Sequence, residues 1–394
     1  MITAEEFELL CSTEVRSEIE RNIGRNPIDI ALDKRVNHAA LVATQVKYLQ
    51  RARRKLPSFF EARCIVPPRA FEQSSSEVCA ARKRLEGESV VDLTCGLGVD
   101  TLALARQFRR VVTVERDPVL ADIARENFRR LGVANVEVVC DTAEHYVAEA
   151  AERFDCCFAD PDRRGADGSK KVVAEECSPN MIELIPKLIH NLLTPDSARQ
   201  ILLKMSPMFD VDEALRVFGE FGRCSVEAVS LGDECKEVLV CIDDGREPTI
   251  AAVAAGRGEY RIPVDEARRS MPCGVFEPES YRYLIVPDVA LQKARLVRHC
   301  FGDKAFVGSE NGFAFASERP DGEVLGRVFE IEGMERYEPR RLRRELKGRR
   351  VEMLLRDVPL TAARIMQAAG VREGGDLRMA FTSAGGEIWA IRLK

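Results

Sequence analysis

The stretch FADPDRRGADG, residues 158–168, follows an apolar run that ends at Ala159, so a predicted strand delivers an aspartate, a proline and two arginines to its carboxyl end. Asp160 in that place can receive or orient a substrate proton, and Arg163 and Arg164 can grip a phosphate or stack on a base. Asp160 and Arg163 are the catalytic candidates. Upstream, DLTCGLG (Asp92 to Gly98) ends another apolar run with a glycine-rich turn that leads into a helix. Gly96 and Gly98 let the backbone turn tightly beneath a ligand, with amide groups and the helix N-terminus directed at it. A dinucleotide fold wants Gly or Ala at position 101, where Thr101 stands. Asp92 repels a pyrophosphate and suits a cationic ligand with an amino group. Glu115 closes the next run, where its carboxylate can accept both hydroxyls of a ribose, and Asp141 closes the one after, within reach of an adenine amino group. Any one of these acids could be a helix cap; three at neighbouring strand ends point to a cationic, ribose-bearing adenine ligand. Thr94, Asp100, Arg116 and Thr142 flank them and complete the candidate cofactor set with Asp160.

The elements that must position these groups are legible in the hydrophobic pattern. Strand-like runs SVVDL, RVVTVE, VEVVC, FDCCFAD, ILLKM, CSVEAVSL and EVLVCID alternate with helices near 100–107, 117–131, 142–151, 179–193 and 211–220. That order predicts an α/β chain with a mainly parallel, doubly wound, Rossmann-like sheet. The last two runs are joined by GDECK, too short for a crossover, and should form an antiparallel hairpin at the sheet edge. Residues 1–65 read as a helical lead-in and 66–245 as the sheet domain. Residues 246–275, rich in Ala, Gly, Arg and Pro, read as a linker, with one or two small α+β units after it, divided, if two, as 276–333 and 334–394. FEQSSSEVCA places Ser75 or Ser76 as a helix cap before the first strand.

Composition bounds the function. Hydrophobic residues at 45% and charged ones at 31% fit a water-soluble globular chain of 394 residues. The opening MITAEEFELL lacks the order of a signal peptide, so a cytoplasmic location is expected. The 13 cysteines show no CxxC or Cys/His ligand spacing, which leaves no metal site in prospect and makes the neighbours Cys156 and Cys157 packing residues. Net charge is −5, but RYEPRRLRRELKGRR, residues 336–350, and KYLQRARRK, residues 47–55, are basic. A helix begun near Pro339 would align Arg340, Arg343, Arg344 and Lys347 on one face as a phosphate-binding stripe, with Leu342 and Leu346 on another.

On these residues the chain resembles the class I S-adenosylmethionine (SAM)-dependent methyltransferases: DLTCGLG is similar to their first motif, Glu115 to the second, Asp141 to the third and DPDRR to the fourth. More narrowly, KLPSFFEARCIVPPRAFEQSSSEVCAARK, DPDRRG, LKMSPMFD, DECKEVLV and the tail after Pro278 resemble a bacterial methyltransferase family with a ferredoxin-like segment and a C-terminal THUMP-like domain. The resemblance implies SAM as cofactor and RNA, tRNA or rRNA, as substrate. It departs from the amino-directed pattern at Asp162 and Arg163, where a proline and a stacking aromatic are usual. DP-x-R also resembles the loop of RNA uracil-C5 methyltransferases, whose nucleophilic cysteine ends the next parallel strand. Here ILLKM runs into SPMFD with no cysteine, and Cys177 is the nearest candidate. Against the leading expectation, methylation of an RNA base at nitrogen, stand C5 chemistry, a small-molecule or protein methyltransferase, and a non-catalytic RNA-binding protein on the same scaffold.

Overall fold

β-Branched side chains covered on both faces make the central strands: Val90, Val91, Val111, Val112 and Val114 are each at most 1% exposed. A computed structural model describes residues 2–149, 151–162, 177–195, 199–375 and 377–394. Arg163 and Arg164 lie outside the described residues. The chain divides into two compact units, residues 1–225 with 237–247, and residues 226–236 with 248–394.

In the first unit β1 (Ser89–Asp92), β2 (Arg110–Glu115), β3 (Val136–Cys140), β4 (Cys156–Ala159) and β5 (Gln200–Met205) run parallel in the order β3-β2-β1-β4-β5. Of the hairpin strands β6 (Cys224–Leu231) and β7 (Glu234–Asp243), β7 lies antiparallel to β5, with Leu203 opposite Val240. Strand order reverses between β1 and β4, and a crevice for ligands opens at such a point outside the carboxyl ends of the strands. Helices Val99–Ala105, Pro118–Arg130, Ala143–Glu149, Met181–Asn191 and Val211–Phe218 alternate with the strands. Asp117, Asn180 and Asp210 cap three of them by accepting backbone N–H bonds.

The lead-in is helical, with Ala4–Cys11, Thr13–Asn22, Pro27–Leu32, Ala39–Lys55 and Pro57–Glu61. It does not stand apart. Val15, Val46, Leu49 and Phe59 share one buried cluster with Leu102, Ile123 and Phe128 of the crossover helices. Buried Asn127 fastens the join, accepting from Ile65 N at 2.7 Å and donating to Ile65 O at 2.9 Å. Ser76 caps Glu77–Ala80, as one of the two serines was expected to.

In the second unit β6 pairs in parallel with β8 (Thr249–Ala254), and β8 antiparallel with β9 (Gly258–Pro263). Two expectations are corrected here: β6 has a neighbour and is no edge strand, and 246–275 is no plain linker. TIAAVA is buried along almost its whole length, but alanine has little β preference, so its side chains signal a strand poorly. An eight-stranded sheet follows. Its strands are β10 (Tyr283–Pro287), β11 (Phe306–Val307), β12 (Ala314–Ala316), β13 (Gly326–Arg336), β14 (Arg350–Leu355), β15 (Arg372–Glu373), β16 (Leu377–Ala384) and β17 (Glu387–Leu393), in the order β11-β12-β10-β13-β17-β16-β14-β15. The boundary expected at 333 falls inside β13: its first half pairs with β10, its second with β17, and a register shift between Ile331 and Gly333 marks the handover. Leu284 and Phe315 share a core with Ile391 and Leu393, so of the one or two α+β units expected there is one.

Candidate functional site

The four acids of the motifs fall at or just past the carboxyl ends of adjacent parallel strands, Asp92 on β1, Glu115 on β2, Asp141 after β3 and Asp160 after β4. Asp92 is fully buried. Its Oδ1 accepts from Thr94 N at 2.9 Å, and its Oδ2 from Thr101 Oγ1 at 2.5 Å and Thr113 Oγ1 at 3.1 Å. Burial nonetheless pushes its pKa up to about 6. So engaged, it braces the glycine turn from beneath. Thr101, the departure from the dinucleotide pattern, is thereby explained: its hydroxyl serves Asp92.

Gly96 and Gly98 both have left-handed φ, 56° and 82°. A Cβ on Gly98 would lie 2.7 Å from Phe128 Cζ, whereas one on Gly96 would meet no protein atom within 4 Å. The first glycine therefore fronts open space, as a backbone that cradles a ligand must, and the second permits close packing. Glu115 ties the turn to its own loop, accepting from Gly96 N at 2.8 Å and Asp117 N at 2.9 Å, and burial raises its pKa. Each of its oxygens keeps a lone pair for a diol. These features fit a ribose-bearing cofactor: Gly96 supplies the cradle and Glu115 the acceptor.

At the third strand end Asp141 accepts from Thr142 N at 2.7 Å and lies 2.7 Å from Nδ1 of His145; the carboxylate holds the imidazole pKa above its usual value. Thr142 Oγ1 accepts from His145 N at 3.2 Å. Arg116 donates to Ser178 Oγ at 3.1 Å. Ser178 in turn exchanges two backbone hydrogen bonds with Asp162, so Cys177 neighbours the fourth motif.

At the fourth strand end Asp160 N donates to Thr94 Oγ1 at 2.6 Å and its Oδ2 accepts from Lys204 Nζ. Lys204, on β5, also stands 3.8 Å from Asp100 Oδ2. Asp100 is buried and pairs at 2.9 Å with Lys83 Nζ, which is itself fully buried and 2.9 Å from Glu237 Oε1. Ser75 Oγ donates to Asp100 Oδ2 at 2.9 Å. A line of alternating charge, Glu237, Lys83, Asp100, Lys204, Asp160, thus ends at the motif. Sequence reasoning missed both lysines and Glu237; the available signal was a lysine inside the apolar run ILLKM and the charged flank of KEVLV.

Cys156 and Cys157 are buried in β4, and burial drives their thiol pKa values up, that of Cys156 to about 12, as packing residues require. Among the described residues no group of His, Cys, Asp and Glu could hold a metal, and no helix is long and apolar enough to cross a membrane. In the second unit Leu342 and Leu346 are buried and Arg340, Arg343 and Arg344 are exposed on Pro339–Leu346. Lys347 is the residue at which this helix ends, with extended ψ, so the expected stripe of four is a stripe of three with a cation beyond it. Arg341 is held by Glu335 and Glu345.

Comparison with known proteins points the same way. Residues 90–164 match the family model described as a methyltransferase domain. The 23S rRNA (uracil(1939)-C(5))-methyltransferase RlmD of Edwardsiella ictaluri is 39% identical over 107 residues, covering 24% of each chain. An uncharacterized RNA methyltransferase of Enterococcus faecalis is 29% identical over 172 residues, covering 40% of this chain and 36% of its own. The chain thus spans about a quarter to a third of the length of these relatives. A crystal structure of a protein from Porphyromonas gingivalis W83, proposed to be a methyltransferase, superposes on 100% of this chain and 99% of its own, with TM-score 0.79 and 23% identity. That likeness establishes the fold, a mixed α/β architecture with a Rossmann-like sheet and a second sheet.

Proposed function

We propose that the chain is a SAM-dependent methyltransferase that modifies a base of structured RNA, tRNA or rRNA, at nitrogen. The observation that carries the reading is the coincidence of the methyltransferase-domain match with a turn whose Gly96 fronts open space and whose amide is tied to Glu115. Gly96 and the Val99–Ala105 N-terminus would cradle the cofactor, Glu115 its ribose, and Asp141 its adenine amino group. The cofactor's sulfonium supplies the methyl group. Asp160 would accept a hydrogen bond from an N–H of the base and align its nitrogen, since transfer between held partners needs alignment above all. Arg163 and Arg164 of the same motif would hold phosphate or stack on the base. RNA is supported by the names of the relatives and by the exposed arginines of Pro339–Leu346, in a segment that resembles THUMP-like domains, with the ferredoxin-like resemblance preceding it.

A second reading rests on Cys177. Its neighbour Ser178 is bonded to Asp162 of the fourth motif, and the RlmD relatives are named for uracil-C5 transfer; on this reading Cys177 is the nucleophile. Nucleoside mass spectrometry of RNA from a strain lacking the gene should reveal one missing methylated species, an N-methyl base for the first reading and a C5-methyl pyrimidine for the second. Asp160→Ala should abolish transfer while SAM affinity stays within a few-fold. Loss of activity in Cys177→Ser, with a covalent RNA adduct trapped in the wild type, would decide for C5 chemistry. RNA with no missing species, from a strain grown under several conditions, would count against both.

A further inference from the structure

The line of buried charge behind Asp160 has work to do that cofactor binding does not explain. Lys83 and Glu237 lie 154 positions apart in sequence, yet Lys83 Nζ sits 2.9 and 3.1 Å from the two Glu237 oxygens. Burying ions in this way stabilises a fold poorly, because desolvation offsets most of the attraction. Resting on the reading of Asp160 as acceptor, we propose that Lys204 is a positioning residue: it keeps the Asp160 carboxylate ionised and directs its second oxygen at the substrate, so that the site selects an N–H donor.

The geometry assigns each member a part. Lys204 occupies Asp160 Oδ2 and leaves Oδ1 with no hydrogen bond or ion pair among the described residues. Asp100 stands 3.8 Å behind Lys204 and is itself anchored by Lys83 and Ser75, so the ammonium group cannot swing away from the motif without breaking a second interaction. Among the described residues, the charges that act on Asp160 are Lys204 from β5, Asp100 from Val99–Ala105 and Lys83 from beyond Glu77–Ala80, while Glu237 of β7 acts on both lysines. Asp162, in the same loop, points at Arg69, 3.8 Å away. Burial raises the Asp160 pKa, and Lys204 is the leading influence that lowers it. Burial likewise opposes charge on Lys204, but Asp160, Asp100 and Glu237 outweigh it and hold the ammonium protonated. A neutral carboxyl group at position 160 would meet a substrate N–H with an O–H in one rotamer and lose the alignment.

The test compares the wild type with Asp160→Asn, Lys204→Met, Lys204→Arg and Lys204→Met/Asp160→Asn in the full chain. The readouts are single-turnover transfer from radiolabelled SAM to total RNA of a strain lacking the gene, and infrared titration of the Asp160 carboxyl, identified by its loss in Asp160→Asn. In Lys204→Met the carboxyl band should titrate at higher pH than in the wild type. Its transfer rate should fall about tenfold per pH unit below that new pKa, through kcat rather than KM. Lys204→Arg should keep the wild-type titration, and the double variant, whose amide oxygen accepts at any pH, should show no such limb. An unchanged Asp160 titration in Lys204→Met, or one shifted equally in Lys204→Arg, overturns the proposal. Should Lys204→Met fail to fold, Lys204→Gln carries the same expectation. If the wild type labels no RNA, the reading of function fails, and the infrared titration still decides what Lys204 does.

Discussion

Asp92→Asn isolates what a buried carboxylate costs the first unit. The wild-type group is fully buried and titrates near 6 instead of near 3.8, because burial outweighs the bonds from Thr94, Thr101 and Thr113. A folded-state pKa raised above the unfolded value favours the protonated form, so this contribution is fully present below about pH 3.8 and is lost as pH rises through about 6. The shift of about 2.2 units corresponds to about 3 kcal/mol at its limit, and integrating between pH 5 and pH 8 gives about 1.4 kcal/mol. Asparagine does not titrate, and the Thr101 and Thr113 hydroxyls can turn to accept from its amide. The stability of Asp92→Asn relative to wild type should therefore rise by about 1.4 kcal/mol from pH 5 to pH 8. Urea denaturation followed by circular dichroism measures it. A difference independent of pH in the dichroism transition would refute the reasoning.

The two glycines of the turn should respond unequally: Gly98→Ala, at φ 82° with Phe128 in the way, should cost about 2–4 kcal/mol of stability, and Gly96→Ala, facing open space, about 1–2 kcal/mol, both by urea denaturation. Glu115→Ala releases the Gly96 and Asp117 amides and should weaken SAM binding by about 1–3 kcal/mol in calorimetry; unchanged affinity would remove the ribose assignment. Arg343→Glu with Arg344→Glu should weaken RNA binding and flatten its log–log salt dependence by about 0.7–0.9 for each phosphate no longer neutralised. Because both side chains are exposed, melting temperature should stay nearly constant. Wild-type RNA binding in that variant would leave the arginines as a solvated face.

Local pattern was enough for the first unit. RVVTVE and VEVVC coincide with β2 and β3, since consecutive β-branched residues between turn signals leave little choice. The motif acids were legible for the same reason, each ending such a run. Lys83, Lys204 and Glu237 were not, because a lone charged residue is read as solvated unless its partner is known, and these partners are distant in sequence. Asp92 was legible as a residue, but not its partners: the hydroxyls of Thr101 and Thr113 that hold its Oδ2 are nine and twenty-one positions away. TIAAVA was lost to small side chains, and the shared sheet of the second unit to β13, whose length hid two different partners.

β13 makes the tail hard to divide. A fragment ending at 333 would carry the first half of that strand without its continuation, and one beginning at 334 would leave the Ile331 side of β17 as a bare edge. Exposed edges recruit other strands, so either piece alone invites aggregation. Recombination could not exchange one half of this body for a foreign one without also supplying a matching strand. The segments that resemble two separate modules are in this chain a single heritable piece.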